Sequence, residues 1–206
     1  ELYLYKKGEL FKNKRKSLKE LNLLDKFLFD EAMDDPENVK TMLDIILSQN
    51  TNLKQSPQTE KEQRTSTDNR QIRLDVYAID EDDVIYEVEA QKENTHNLPK
   101  RSRLYQGVID SKLLPPGVVD FNLLNEVLIV LIMPFDLFGY GLYRYTFYMR
   151  CEEVPELKLN DGATRIFLNT RGKHPELVSP ELIELLKYME RSTDEVSRAV
   201  SYTHLT

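Results

Sequence analysis

Two short segments of the chain alternate apolar and polar residues with the two-residue period of a β-strand. They are RLDVYAI (Arg73 to Ile79) and VIYEVEAQ (Val84 to Gln91). Because successive strand side chains point to opposite faces, one face of each strand is apolar and the other carries acidic residues. The apolar set is Leu74, Val76 and Ala78 in the first strand and Tyr86, Val88 and Ala90 in the second. The acidic run at 80–83 predicts an exposed turn between the strands, and hence a β-hairpin.

A three-residue loop at Glu81 to Asp83 lets apolar side chains face each other across the hairpin, which fixes the register of a half-buried pair of strands. The opposed pairs are Val76 and Val88, Ala78 and Tyr86, Tyr77 and Glu87, Asp75 and Glu89, and Arg73 and Gln91. Opposed side chains lie about 5 Å apart at Cβ, and two carboxylates at that distance either raise a pKa or hold a cation between them. The hairpin therefore makes Asp75 and Glu89 the first candidates for a site.

Helical spacing of apolar residues recurs in other segments of the chain. The predicted helices are Leu21 to Met33, a second through Val39 to Leu47, Asn97 to about Leu114, and Ser179 to about Glu190. Proline in the first turn supports the starts of the last two. The third helix is expected to bury Leu104, Tyr105, Val108 and Ile109 and to expose Lys100, Arg101 and Arg103.

A continuous apolar run, Glu126 to Met133 (EVLIVLIM), is typical of a strand that is covered on both faces. Tyr143 to Met149 and Arg165 to Leu168 predict two further strands. Ser48 to Gln71 is polar and predicts a loop, with room for a short strand around Leu53. This order of helices, hairpin, helix and buried strand predicts an α/β fold with a mixed sheet.

The 206-residue chain has a globular composition, with 40% hydrophobic and 31% charged residues, and its length suits one domain, which we place at residues 21–190. The single cysteine, Cys151, argues against a disulfide framework and indicates a reducing cytoplasm. The longest apolar run, Val127 to Met133, is too short to cross a bilayer, so no membrane partner is expected.

The two ends of the chain differ from this domain. The first twenty residues hold seven Lys and Arg against three Glu, in a chain of net charge −7. This basic extension, residues 1–20, either contacts phosphate groups or is a solvated tail. Residues 191–206 form a tail, of which 200–206 (VSYTHLT) resembles the translation of a transposon-end adapter used in sequencing libraries. We exclude that segment from functional reasoning.

The order of these motifs resembles the PD-(D/E)XK nuclease superfamily, and more specifically its recombination-promoting nucleases, also described as PD-(D/E)XK family transposases. The matching segments, from about Leu21 to Glu190, are LLDKFLFDEAMDDPE, RLDVYAIDEDD, YEVEAQ, LPKRSRLYQGVIDSKLL, MPFDLFGYG, RYTF and FLNTRG. The resemblance implies a restriction-endonuclease-like core, in which a mixed central β-sheet is flanked by helices. It also implies a metal-dependent DNA endonuclease associated with mobile elements and recombination.

Residue by residue, the resemblance implies that Asp75 and Glu89 hold Mg²⁺ or Mn²⁺ and that Gln91 takes the place of a lysine that orients the attacking water. Gln91 departs from the usual pattern, because its amide can position water but brings no positive charge. Asp25 matches an acidic position that often completes the metal shell. The expected nucleic-acid contacts are Lys100, Arg101 and Arg103, with Tyr105 following in a recurring R-x-Y. A homodimer is consistent with such a nuclease.

Other interpretations stay open. Asp75 and Glu89 are also consistent with solvated charges on an exposed sheet face, or with an inactive relative that binds DNA or a protein partner. Asp25 is equally consistent with a surface acid beside Lys26. Glu87 is expected to face solvent or to pair with an arginine or lysine. An RNA-directed nuclease is a third interpretation of the same residues.

Overall fold

A computed structural model describes residues 22–63 and 72–191 of the chain. Its helices are α1 (Lys26–Met33), α2 (Pro36–Leu47), α3 (Leu98–Asp110) and α4 (Pro180–Arg191). Its strands are β1 (Gln58–Gln63), β2 (Ile72–Ile79), β3 (Ile85–Ala90), β4 (Val127–Met133), β5 (Arg144–Phe147) and β6 (Ala163–Asn169). The predicted basic extension at 1–20 and the predicted tail beyond Arg191, including 200–206, lie outside the described residues.

The strands of the described residues form one mixed sheet in the order β1-β2-β3-β4-β6-β5. Strand β2 runs antiparallel to its two neighbours, β1 and β3. Strands β3, β4 and β6 run parallel, and β5 is antiparallel to β6. The predicted apolar run forms β4, which lies in the interior of the sheet between β3 and β6 and is buried along almost its whole length. The α/β fold with a mixed sheet flanked by helices is therefore confirmed.

Each face of the sheet packs against its own hydrophobic core. The first core contains buried residues of α1, α2 and α4 together with alternate residues of the strands, among them Val76, Ala78, Val88 and Val130. The second core contains buried residues of α3 and the other strand residues, among them Tyr77, Ile85, Ile129 and Leu131. Three helices thus cover one face, and α3 covers the other.

Local signals in the sequence explain where α2 and α4 begin. The Asp35 carboxylate accepts the backbone N–H of Glu37 at 3.0 Å, and Pro36 occupies the first position of α2. The Ser179 hydroxyl accepts the backbone N–H of Leu182 at 3.2 Å, in the first turn of α4. The predicted start of α4 at Ser179 is therefore confirmed.

Four predictions about the elements are wrong. The segment Gln58–Gln63 (QTEKEQ) is the edge strand β1 and not a loop. Its sequence lacks the apolar pattern that a strand usually shows, and backbone pairing with β2 stabilises it instead. The first helix begins at Lys26, after a turn. The third helix ends at Asp110, and Leu104 on it is 44% exposed.

Helices long and apolar enough to cross a membrane are absent from the described parts of the chain.

Candidate functional site

The hairpin of β2 and β3 has the predicted register. The structure pairs Val76 with Val88, Tyr77 with Glu87, Ala78 with Tyr86 and Ile79 with Ile85. The pairing of β2 with β3 ends at Val76 and Val88, so the predicted pairs of Asp75 with Glu89 and of Arg73 with Gln91 lie beyond the paired residues. The apolar pairs identified in the sequence are therefore the ones that align the two strands, and Asp75 and Glu89 directly adjoin the last of these pairs.

The hairpin loop is Glu81 to Asp83, as predicted, and the residues on either side of it close the loop. Asp80 N–H donates to Val84 O at 3.1 Å, and Asp83 N–H donates to Asp80 O at 3.1 Å. Asp83 has a φ of 62°, the left-handed conformation that three-residue hairpin loops favour. The buried Asp80 carboxylate also accepts the hydroxyl of Tyr86 at 2.7 Å, which fixes the loop to β3.

The predicted alternation of β2 is wrong at Leu74. Leu74 is buried in the second core, whereas Val76, two residues later, is buried in the first core. The alternation therefore breaks at Asp75, and Glu60, which the β1 register sets beside Asp75, has a φ of 49°. A local break of this kind redirects a side chain, and the Asp75 carboxylate accepts a hydrogen bond from Lys26 Nζ of α1, a helix that packs on the first core.

Four of the predicted site residues line one open cleft of about 290 Å³. They are Asp75 on β2, Glu89 on β3, Gln91 just after β3, and Asp25. Asp25 lies immediately before α1, at its N-cap, and not within the first helix as predicted. The fold thus brings together residues that are separated by more than sixty positions in the sequence.

Asp25, Asp75 and Glu89 each contact a cationic side chain at this cleft. Lys92 Nζ lies 2.6 Å from Asp25 Oδ2, and Lys26 Nζ contacts both the Asp75 carboxylate and, at 3.1 Å, Asp30 Oδ2. Glu89 contacts the guanidinium of Arg101. Sequence reasoning missed Lys26 and Lys92 as site residues, although each directly follows a predicted site residue in the chain.

Burial dominates the electrostatics of the two central acidic residues. Asp75 is 6% exposed and Glu89 is 7% exposed. Burial raises the pKa of Asp75, against the opposing effects of Lys26, Arg101 and the Ala90 N–H. Burial also raises the pKa of Glu89 to about 7, with Arg101 opposing and the neighbouring Asp75 charge adding to the increase. The interpretation of these residues as solvated charges on an exposed face is therefore wrong.

Glu87 is a third buried acidic residue that the sequence pattern misplaced. It is fully buried, and neither carboxylate oxygen accepts a hydrogen bond from any described residue. Burial, followed by the charges of Glu89 and Asp75, raises its pKa well above the ordinary value. The prediction that Glu87 faces solvent or pairs with a cation is wrong, because its cross-strand neighbours Tyr77 and Ile129 both lie in the second core, so the Glu87 side chain lies on the face that α3 covers.

Arg101 is turned towards the sheet and not towards solvent as predicted. Its Nη2 donates to a carboxylate oxygen of Glu89 and to the amide oxygen of Gln91. The amide nitrogen of Gln91 in turn donates to the backbone carbonyl of Glu93 at 2.6 Å. Both ends of the Gln91 amide are therefore held, and the amide carbonyl faces the guanidinium.

A second cleft, of about 410 Å³, lies on the other side of Arg101. Its lining is Ile72, Arg73, Asn97, Lys100, Arg101, Leu104 and Tyr105. Lys100 and Arg101, both predicted to contact nucleic acid, therefore line this cleft, whereas Arg103 is exposed elsewhere on α3. Tyr105 is buried in the second core, as predicted. Arg73 joins the basic lining and lies 3.0 Å from Glu60 of β1.

The hydrogen bonds of the carboxylate oxygens test whether the first cleft, the one that Asp75 and Glu89 line, suits a divalent cation. In the described parts of the chain, no three Asp, Glu, His or Cys side chains converge in an arrangement that could hold a metal ion. Asp75 and Glu89 nevertheless offer the oxygen ligands that Mg²⁺ and Mn²⁺ favour. Glu89 Oε2 is buried and accepts no hydrogen bond from any described residue. A bound cation would give that oxygen a partner, at a cleft that Asp75 and Asp25 also line.

Comparisons of the chain with models of protein families, with curated proteins and with solved structures found no match. The relation to PD-(D/E)XK nucleases therefore stays a proposal, and it rests on the residues of the two clefts.

Proposed function

We propose that the protein is a metal-dependent DNA endonuclease with a restriction-endonuclease-like core, associated with mobile elements or recombination. One observation supports the proposal above all others. The β2–β3 hairpin buries Asp75 and Glu89 in one cleft together with Asp25 and Gln91, the residues that the family resemblance assigns to the site. Burying two carboxylates side by side destabilises a fold, and a bound cation removes that cost.

The proposed reaction is hydrolysis of a phosphodiester. A water oxygen forms a bond to phosphorus, the bond from phosphorus to the leaving sugar oxygen breaks, and the water proton is lost while the leaving oxygen gains one. When bound, Mg²⁺ or Mn²⁺ would lower the pKa of a water molecule and neutralise charge on the phosphate. Asp75 and Glu89 would hold the ion, with Asp25 completing its shell, and Gln91 would orient the water through its amide.

The second cleft supports a nucleic-acid substrate. Arg73, Lys100 and Arg101 give it positive charge, and Arg101 joins it to the cleft that holds the acidic residues. Arginine and lysine side chains account for most electrostatic affinity for a phosphate backbone. DNA laid along the second cleft would therefore present a phosphate to the first.

Nicking of supercoiled plasmid tests this function. The wild type is expected to nick in Mg²⁺ or Mn²⁺ and to stop when the cation is chelated. Asp75→Asn and Glu89→Gln keep side-chain size but remove ligand charge, and we expect each to lower the rate by about 1,000-fold or more. Arg150→Ala is the matched control, because Arg150 is exposed and follows β5 at the opposite edge of the sheet.

Equal nicking by the wild type, Asp75→Asn and Glu89→Gln would contradict the assignment, since a contaminating nuclease would explain it. Parallel assays on single-stranded DNA and on RNA identify the substrate. Faster cleavage of RNA than of DNA would support the RNA-directed interpretation instead.

A second candidate is an inactive relative that binds DNA or a protein partner. The observation in its favour is that Lys26, Lys92 and Arg101 already contact the acidic residues of the cleft. It predicts binding of a fluorescent duplex that is unchanged by Mg²⁺ and by Asp75→Asn, without nicking. The endonuclease proposal predicts nicking that Asp75→Asn removes.

We also propose a cytoplasmic location and a homodimer. Cys151 is a free thiol, which is consistent with a reducing compartment. Two single sites in a dimer would allow both strands of a duplex to be cut. Light scattering on the purified protein measures its mass, and a monomer at assay concentrations would contradict the dimer.

A further inference from the structure

The first cleft has no positive charge at the position of Gln91, where phosphodiester hydrolysis needs one. Charge develops on the phosphate oxygens as the new bond forms, and a nearby cation stabilises that charge. Gln91 is neutral, and its amide oxygen is an acceptor that offers nothing to an anion. The missing charge must come from another residue if the site is active.

We propose that Arg101 supplies this charge and is a catalytic residue that contacts the reacting phosphate. The inference rests on the proposed function and names the residue that completes it. Arg101 brings a guanidinium to Gln91 itself, since Nη2 contacts the amide oxygen of Gln91 as well as the carboxylate of Glu89. A positive charge therefore lies beside the residue that lacks one.

The position of Arg101 on α3 supports a specific role for this side chain. Leu98, Tyr105 and Val108 are buried against the sheet, and Arg101 lies on the same helical stripe, three residues after Leu98 and four before Tyr105. A charged residue on the apolar stripe of a helix is unusual, because burial removes water from the charge. On the exposed side of the helix, a long cationic side chain would stay hydrated. Arg101 is therefore held at the site by the packing of its own helix.

The donors of Arg101 are not exhausted by its contacts in the protein. Both of its hydrogen bonds to the first cleft leave from Nη2. Its Nε is buried and donates to no described residue. A guanidinium carries five N–H donors in a rigid fork, which suits two oxygens of one phosphate. Arg101 can therefore contact phosphate while it keeps its hydrogen bond to Gln91.

The two cationic residues that line the first cleft, Lys26 and Lys92, are less suited to contact the reacting phosphate. Lys26 is shared between Asp75 and Asp30, and Lys92 contacts Asp25 at the other side of the acidic pair. Arg101 also lines the basic cleft in which the DNA is proposed to lie. It is thus placed at the junction of the acidic residues and the substrate.

A rescue experiment tests this inference. Arg101→Ala is expected to lower kcat for nicking by about 100-fold with KM changed less than about threefold, because a transition-state contact affects kcat. Arg101→Lys is expected to recover part of the loss. The double variant Arg101→Ala/Gln91→Lys places a cation at position 91 and is expected to nick at least about tenfold faster than Arg101→Ala alone. Arg150→Ala is the control for loss of an exposed arginine.

Two outcomes overturn the inference without touching the proposed function. One is nicking that Asp75→Asn abolishes but Arg101→Ala leaves within about threefold. The other is an Arg101→Ala defect confined to KM, or one that Gln91→Lys does not relieve. If the wild type does not nick at all, the proposed function itself fails.

For each variant, circular dichroism checks that the protein is folded. The affinity for a fluorescent duplex in Ca²⁺ measures DNA binding. A folded Arg101→Ala with near-normal duplex affinity and low kcat supports the role. If Arg101→Ala does not fold, Arg101→Lys and Arg101→Gln replace it, and equal kcat values for that pair would overturn the inference.

Discussion

Strands β3 and β4 are neighbours in the sheet and are almost equally buried, yet they carry opposite chemistry. Every residue of β4 is apolar, whereas β3 places Glu87 and Glu89 directly beside Ile129 and Leu131 of β4. The apolar side chains of β4 stabilise the fold by their burial. Glu87 and Glu89 oppose folding, because carboxylates lose hydration there. The difference shows that a contribution to stability explains the apolar sequence of β4 and does not explain the buried acidic residues of β3.

The largest effect is expected from moving an acidic residue from β3 to β4. Leu131 is fully buried and pairs with Glu89. Leu131→Glu should lower the free energy of unfolding by about 4 kcal/mol or more, because the new carboxylate would be buried among the apolar side chains of the second core. Urea denaturation measures the change. Leu131→Met is the control and should cost less than about 1.5 kcal/mol. A loss below about 2 kcal/mol for Leu131→Glu would contradict the contrast between the strands.

The second prediction is that Glu89 of β3 makes the stability of the protein depend on pH. The folded pKa of Glu89 is about 7, above its ordinary value of 4.5, so the folded form holds this proton more tightly than the unfolded chain. Stability contributed by this group is therefore full below about pH 4.5 and is lost as the pH rises through 7. The free energy of unfolding of the wild type, relative to Glu89→Gln, should fall by about 3 kcal/mol over that interval.

Urea titrations at several pH values, run on both proteins, provide this difference. Subtracting the Glu89→Gln curve removes the contributions of groups that the two proteins share. A difference that is flat between pH 4.5 and 8, or that rises with pH, would show that burial does not raise the pKa of Glu89.

The third prediction adds the cation that β3 is proposed to need. Metal ligands must be deprotonated, so Mn²⁺ should stabilise the protein more at pH 8 than at pH 6. A concentration 100 times the dissociation constant should add about 2.7 kcal/mol at pH 8. Thermal melts with and without Mn²⁺ measure the increase, and Asp75→Asn should abolish it. An equal increase in Asp75→Asn would place the ion elsewhere.

The smallest effect is expected from making β3 resemble β4. Glu87 is buried without a hydrogen-bond donor among the described residues, so Glu87→Met should raise the free energy of unfolding by about 1 to 2 kcal/mol at pH 7. Urea denaturation again measures the change, with Ile129→Leu as the control for repacking at the paired position. A loss of more than about 1 kcal/mol would mean that Glu87 has a stabilising contact.

The hairpin and the buried strand were predictable from the sequence because local patterns determine them. Apolar pairs such as Val76 with Val88, and a three-residue loop, leave one register that buries the apolar face. The apolar run of β4 likewise has one place, in the interior of the sheet. Strand β1 was missed because an edge strand is stabilised by backbone pairing with β2, which its polar sequence does not record.

The environment of the acidic residues was not predictable, since it depends on contacts between distant segments. Lys26 and Arg101 come from helices on opposite faces of the sheet and meet the acidic residues only after folding. The prediction placed Arg101 in solvent because the side chain is charged, although Arg101 shares a helical stripe with Leu98 and Tyr105. Polarity alone does not identify the acceptor that a charge meets after folding. The same limitation misplaced Glu87, which is buried on the face of the sheet that α3 covers.

The most direct measurement is anomalous diffraction at the manganese edge from crystals grown with Mn²⁺. The contrast between β3 and β4 predicts a peak within about 2.5 Å of carboxylate oxygens of both Asp75 and Glu89. The Glu89→Gln variant should lose that peak under the same conditions. Crystals saturated with Mn²⁺ that show no peak at these residues, with Arg101 still bound to Glu89, would contradict the proposed metal site.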